Sequence, residues 1–111
     1  VNGNCTILDG GKVTLGNDIW IGPNTEIISS GHSVDPERRK NGYGYANPIV
    51  IKDNVYVGSR VTIVCSENRG ITIGKNSVIA SGSIVTKDVP EGVLVAGNPA
   101  KVIRTLGEEK Q

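Results

Sequence analysis

Branched aliphatic residues recur along this chain at intervals of six. Leu15, Ile21 and Ile27 form one series, Ile51, Val57 and Ile63 a second, and Ile73, Ile79 and Val85 a third. Glycine follows the aliphatic residue at Gly16, Gly22, Gly58 and Gly74. The fifth position of each hexad is small or aliphatic: Ile19, Thr25, Val55, Val61, Ser77 and Ser83. An alternating strand repeats every two residues and a helix about every 3.6, and neither demands an aliphatic–glycine pair every six. The period predicts a solenoid in which each hexad is a short strand plus a turn. Each aliphatic head points into a narrow interior and stacks on its equivalents in neighbouring coils. An antiparallel sheet with frequent turns is the competing reading, and three phased series disfavour it. The spacing does not set the hand of the coil.

Two interruptions break the phase. The first, residues 28–47 (ISSGHSVDPERRKNGYGYAN), is long and polar, and loops of this length inside compact domains are usually functional. The second, residues 64–70 (VCSENRG), is a smaller bulge. Residues 90–111 leave the repeat and read as a loop, a short extended segment and a charged tail that closes one end of the solenoid. The expectation is therefore one β-helical domain over residues 1–111, with 28–47 protruding and 90–111 as cap and tail.

Composition supports a narrow core. Hydrophobic residues make up 37% of the 111 positions, aromatics only 4%, and Phe and Met are absent. Such a chain lacks the large fillers of a layered α/β or helical core, while Val and Ile suit pleated interiors. A formal net charge of +1 implies neither a nucleic-acid nor a membrane partner. No apolar run reaches membrane-spanning length and no signal peptide opens the chain, which begins at Val1. Cys5 and Cys65 read as reduced thiols of a cytoplasmic protein.

The candidate chemistry centres on His32, the single histidine, within Gly31-His32-Ser33 of the long loop. A neutral imidazole can accept a proton near pH 7. A lone histidine is more often a surface residue without a task; its place in a loop that interrupts a regular repeat shifts that balance. There is no GxSxG elbow and no GxxxxGK[ST] phosphate loop. One histidine cannot supply a three-histidine zinc site, so no metal is expected. Lys87, Lys101 and Arg104 could grip phosphates, although by charge alone they read as solvated surface.

The segment Gly31-His32-Ser33-Val34-Asp35-Pro36-Glu37-Arg38-Arg39-Lys40-Asn41-Gly42 resembles the catalytic loop of the maltose and galactoside O-acetyltransferases. So do, in order, Pro48-Ile49-Val50-Ile51, Asn54-Val55-Tyr56-Val57-Gly58, Ile73-Gly74-Lys75-Asn76-Ser77-Val78-Ile79, Gly82-Ser83-Ile84-Val85-Thr86-Lys87-Asp88 and Ala96-Gly97-Asn98-Pro99-Ala100-Lys101-Val102-Ile103-Arg104. The resemblance covers nearly the whole chain.

The resemblance implies a left-handed parallel β-helix, assembled as a homotrimer with active sites between subunits. It implies acetyl transfer from acetyl-CoA to a sugar hydroxyl. His32 matches the catalytic base, and Asn2 and Asp9 match positions near the acceptor. Ser59 matches a residue near the acetyl group, and it or a neighbouring backbone N–H is the expected oxyanion donor. Ser81, Thr86, Lys87, Lys101 and Arg104 match CoA-binding positions, and Tyr56 stands where relatives usually carry Trp beside the pantetheine. Three departures stand out. Gly10 replaces an acidic residue of some relatives, the N-terminal region of the family is missing, and the bulge at 64–70 is expected to reshape the cofactor groove. Acetylation of an amine or an antibiotic hydroxyl, or a trimeric scaffold with impaired catalysis, are the alternatives.

Overall fold

The structure, a computed structural model, describes residues 3–107. Eleven short strands wind into a prism measuring 56 × 25 × 21 Å. Each hexad contributes one strand of two or three residues to one of three faces. The first face carries β1 (Thr6–Leu8), β4 (Glu26–Ile28), β9 (Thr62–Val64) and β12 (Ile84–Val85). The second carries β2 (Val13–Leu15), β7 (Ile49–Ile51) and β10 (Ile71–Ile73). The third carries β3 (Trp20–Ile21), β8 (Tyr56–Val57), β11 (Val78–Ile79) and the longer β13 (Val93–Gly97). Pairing between coils is parallel throughout these faces. The fold is the left-handed parallel β-helix expected from the resemblance.

The register explains the six-residue period. Leu15, Ile51 and Ile73 stack in one column, Ile21, Val57 and Ile79 in a second, and Ile27, Ile63 and Val85 in a third. Except for Leu15 in the outermost coil, all of these side chains are buried. Fully burying one such side chain stabilises by about 1.5–3 kcal/mol, and each coil contributes three. The fifth-position residues turn inward beside them. The polar ones are satisfied: Ser77 Oγ donates to Gly74 O at 2.5 Å and Ser83 Oγ to Ala80 O at 2.6 Å within their own coil, and Thr25 Oγ1 to Gly58 O of the next coil at 3.0 Å.

The corners use two devices. Residues 18, 24, 54, 60, 76 and 82, again six apart in pairs, all have positive φ, and four of them are Asn or Asp, which tolerate that region. Glycine then follows the buried aliphatic because the next coil passes close by. An ideal Cβ on Gly22 would lie 2.7 Å from the carbonyl carbon of Gly58, so the requirement is room for neighbouring backbone more than a tight bend.

Three corners result. Between the second and third faces runs a corner of Asn and Asp turns, including Asp18, Asn54 and Asn76. Between the third and first faces runs a corner of Gly and Ser, including Gly58, Ser59 and Ser81. Between the first and second faces both irregular segments leave the coil, and this is the loop corner. At the far end, β14 (Ala100–Thr105) folds back antiparallel on β13. Residues 93–105 are thus a hairpin, more regular than the loop and short extended piece expected, because Val93 and Val95 alternate into the core.

Candidate functional site

His32 ends β5 (Ser30–His32), which pairs antiparallel with β6 (Gly44–Ala46). This hairpin is placed by buried Ser29, whose hydroxyl accepts from Gly11 N at 2.9 Å and has the carbonyls of Gly11 and Leu8, at 2.8 and 3.0 Å, as acceptors for its one proton. Across the hairpin, each glycine faces a ring. Gly31 lies under Tyr45, where a Cβ would sit 2.5 Å from the phenol oxygen, and Gly44 lies against the His32 imidazole. Cross-strand aromatics commonly cover strand glycines in this way. The imidazole is therefore exposed yet held by packing, beside a cavity of about 520 Å³ lined by Ser30, His32, Gly44 and Tyr45.

Burial, together with the nearby Cys65 and Glu67, raises the pKa of the Tyr45 phenol above 10.0, so it stays a neutral O–H. Beyond His32 the chain turns through α1 (Pro36–Lys40). Asp35 caps it by accepting from Glu37 N at 3.0 Å, and Pro36 starts it with a preset φ. Arg39 donates back to the carbonyls of Ser33 and Val34, and the Arg38 guanidinium lies 4.2 Å from the centre of the Tyr43 ring.

A second cluster occupies the third face and its serine corner. Trp20, 70% exposed, and Tyr56, 54% exposed, face outward in register. Val78, Leu94 and Arg104 continue that row strand by strand. An apolar lane thus runs from two aromatic rings to a cation. Beside it lies a cavity of about 350 Å³ bounded by Trp20, Pro23, Tyr56, Ser59 and Ser81. Ser81 Oγ accepts from the backbone N–H of Ser59 at 3.0 Å and from its hydroxyl at 3.3 Å.

The residues singled out from sequence therefore fall into two groups. His32, Asp9, Thr86 and Lys87 lie along the loop corner. Tyr56, Ser59 and Ser81 lie on or beside the third face, with Lys101 and Arg104 on β14 at its end. Asn2 lies outside the described residues. The first face separates the groups by about 16 Å, five extended residues at roughly 3.3 Å each. The bulge belongs to the loop corner, not to the cavity at Ser59 and Ser81, because it joins β9 to β10. Gly10 also has a local cause: a Cβ there would sit 2.6 Å from Ser30 Cβ, so a larger side chain would collide with the strand that carries His32.

Two contributors escaped the sequence reading. Trp20 and Tyr56 each stand one position before a buried aliphatic of the repeat, Ile21 and Val57, and that place puts both rings outward on one face. Glu67 gave no such signal, since its contacts depend on two irregular segments meeting. Among the described residues no helix is long and apolar enough to cross a membrane.

A family model described as the hexapeptide repeat of succinyl-transferase matches residues 48–87. The chain is 50% identical over 107 residues to a galactoside O-acetyltransferase of Escherichia coli (strain K12), covering 96% of this chain and 51% of that protein. Among solved structures, it resembles a hexapeptide-repeat acetyltransferase of Vibrio cholerae O1 biovar eltor complexed with acetyl coenzyme A. That match has a TM-score of 0.87 at 41% identity and covers 95% of this chain and 55% of the other. A galactoside acetyltransferase in complex with coenzyme A gives the same TM-score, 0.87, at 48% identity, covering 94% of this chain and 50% of the other. The chain spans about half the length of the curated relatives it matches.

Proposed function

Since the chain belongs to the hexapeptide-repeat family of the maltose and galactoside O-acetyltransferases, we propose that it carries acetyl from acetyl-CoA to a hydroxyl of a sugar or related small molecule. The observation that carries this reading is the His32 imidazole, exposed on a braced hairpin at the point where the repeat breaks. The outward lane on the third face supports the donor half: Trp20, Tyr56, Val78 and Leu94 suit the apolar arm of CoA. Arg104 and Lys101 at its end suit phosphates, where charge-assisted contacts are strong.

In this reading neutral His32 takes the acceptor's hydroxyl proton as that oxygen attacks the thioester carbonyl. A C–O bond forms, and the carbonyl becomes a tetrahedral oxyanion. It collapses by breaking the C–S bond, and the proton held by His32 passes to the departing sulfur. The thioester is already activated, so no covalent enzyme intermediate is needed. The Ser59 N–H is already given to Ser81 Oγ, so one hydroxyl of the Ser59–Ser81 pair serves as oxyanion donor. Asp9, on the loop corner one coil from β5, serves the acceptor side, as does Asn2. Thr86 and Lys87 contact the CoA of a neighbouring site.

The two groups of residues lie on different edges of one chain. A homotrimer resolves this, because a closed threefold ring sets the loop corner of each chain against the third face of the next. The chain acts as one β-helical unit, and its free thiols at Cys5 and Cys65 suit the cytoplasm. The test is thiol release from acetyl-CoA across sugars, nucleotide-sugars, amines and antibiotics, repeated with His32→Ala. Removing a general base typically lowers the rate about 10²–10⁴-fold. The variant should lose that much while keeping the trimer and its calorimetric CoA binding. Near-normal turnover removes His32 from the role, and no CoA binding by the wild type at millimolar concentration removes the acetyl-transfer reading altogether.

A further inference from the structure

The loop carrying His32 is not free at the protein surface. Ser33, the next residue, is 1% exposed, and its hydroxyl donates to Glu67 Oε1 at 3.3 Å while accepting from Asp35 N at 3.1 Å. The other oxygen of Glu67, Oε2, receives Arg38 Nη1 at 3.1 Å. At the loop's far end, Asn47 Nδ2 donates to the carbonyls of Ser66 and Glu67 at 2.8 and 3.1 Å. Both arms of the loop are thus tied to Glu67, and the Asn47 end to Ser66 as well.

The bulge is itself anchored on its other side. Its own turn is closed by Ser66 N donating to Arg69 O at 3.1 Å. Arg69 Nη2 meets Asp88 Oδ2 at 2.7 Å, and Asp88 Oδ1 accepts from Thr72 N at 2.8 Å. Asp88 directly follows Thr86 and Lys87. One continuous run of contacts therefore passes from the histidine loop, through the bulge, to that segment.

We propose that Glu67 is a positioning residue for His32, and that residues 65–70 brace the catalytic loop from below. The proposal rests on the reading of His32 as the base. The contacts are local and partly exposed, so they orient the loop more than they stabilise the coil. A general base must sit within hydrogen-bond reach of its proton, and a displacement of about 1 Å can cost on the order of a hundredfold in rate.

The experiment uses the full chain as it assembles, with Glu67→Ala and Glu67→Gln. Hydrogen exchange is read without substrate, and kcat and KM for acetyl-CoA are read with an accepted sugar. Glu67→Ala should raise exchange at residues 31–46 while β7 to β12 stay protected. It should lower kcat about ten- to a hundredfold, with KM for acetyl-CoA within about twofold. Glu67→Gln keeps one acceptor for Ser33 and should recover part of the rate, an outcome that a general loss of folding would not give. Unchanged exchange at 31–46 overturns the brace, and unchanged kcat despite a loosened loop overturns the role toward His32. If the wild type transfers acetyl to no acceptor, the proposed function fails, and exchange alone then decides whether Glu67 braces the loop.

Discussion

Gly58→Ala tests whether neighbouring coils require glycine at the corner or merely accept it. An added Cβ at 58 would lie 2.5 Å from Ser81 Oγ, 2.7 Å from Ser81 N and 2.9 Å from Ser81 Cα. Ordinary van der Waals contact needs about 3.5 Å, so the coils must part by roughly 0.7 Å. They are not free to do so. Gly58 N donates to Ile79 O at 2.9 Å on one side, and Thr25 Oγ1 donates to Gly58 O at 3.0 Å on the other. Overpacking of this kind costs about 1–3 kcal/mol. The reduced freedom of the unfolded chain offsets about 0.4–1 kcal/mol of that. A net loss of about 1–2 kcal/mol lowers the melting temperature by roughly 4–8 °C for a chain of this size. Thermal melts followed by circular dichroism at matched protein concentration measure it. Gly3→Ala is the control, since a Cβ there meets nothing within 4 Å. The same variant should weaken CoA binding in calorimetry, because the Ser59–Ser81 pair lies at the parted corner. A Gly58→Ala protein that melts at or above the wild-type temperature refutes the steric argument.

Two further outcomes follow from particular residues. Tyr45 has a folded pKa raised above 10.0, so the stability from its neutral phenol is complete below that value and is lost as pH rises through the folded one. A difference titration at 295 nm between wild type and Tyr45→Phe should show a step with its midpoint above 10.0, and a midpoint at or below 10.0 contradicts the burial argument. Asn76 has φ 64° and accepts from Asn54 Nδ2 at 3.0 Å. Asn76→Ala should cost about 1–2 kcal/mol by denaturant unfolding and Asn76→Gly clearly less, since the left-handed region burdens only residues with a Cβ; equal losses would place the effect in the hydrogen bond.

The coil itself was legible because its physics is periodic. Once Ile51, Val57 and Ile63 are phased, the register that stacks them on Ile73, Ile79 and Val85 follows. The same phase carries the positive-φ turn residues and the outward pair Trp20 and Tyr56, although the latter had to be read one position ahead of the buried residue. Irregular segments offer no such handle. Nothing in VCSENRG shows that Glu67 meets Ser33 and Arg38, because those partners lie 34 and 29 positions away across a loop with no period. Its place between β9 and β10 puts the bulge on the loop corner, beside the segment that carries Thr86 and Lys87.

The three corners divide the work because each uses the hexad differently. Asn and Asp turns with positive φ close the first corner. Gly and Ser at the second keep side chains small, so a groove opens beside the outward lane. At the third the period is abandoned, and 18 extra residues separate β4 from β9 relative to one regular coil of 18, since Glu26 pairs with Thr62. A loop of that length is long enough to bend across the first face and complete the groove within one chain. Its ties argue otherwise: Ser33 and Asn47 are both bound to the bulge beneath, and crossing about 16 Å would break both. In the proposed function, a histidine so fixed meets a donor groove that another copy brings to it. In the proposed trimer, the brace that holds His32 away from its own groove is also what presents it to the next.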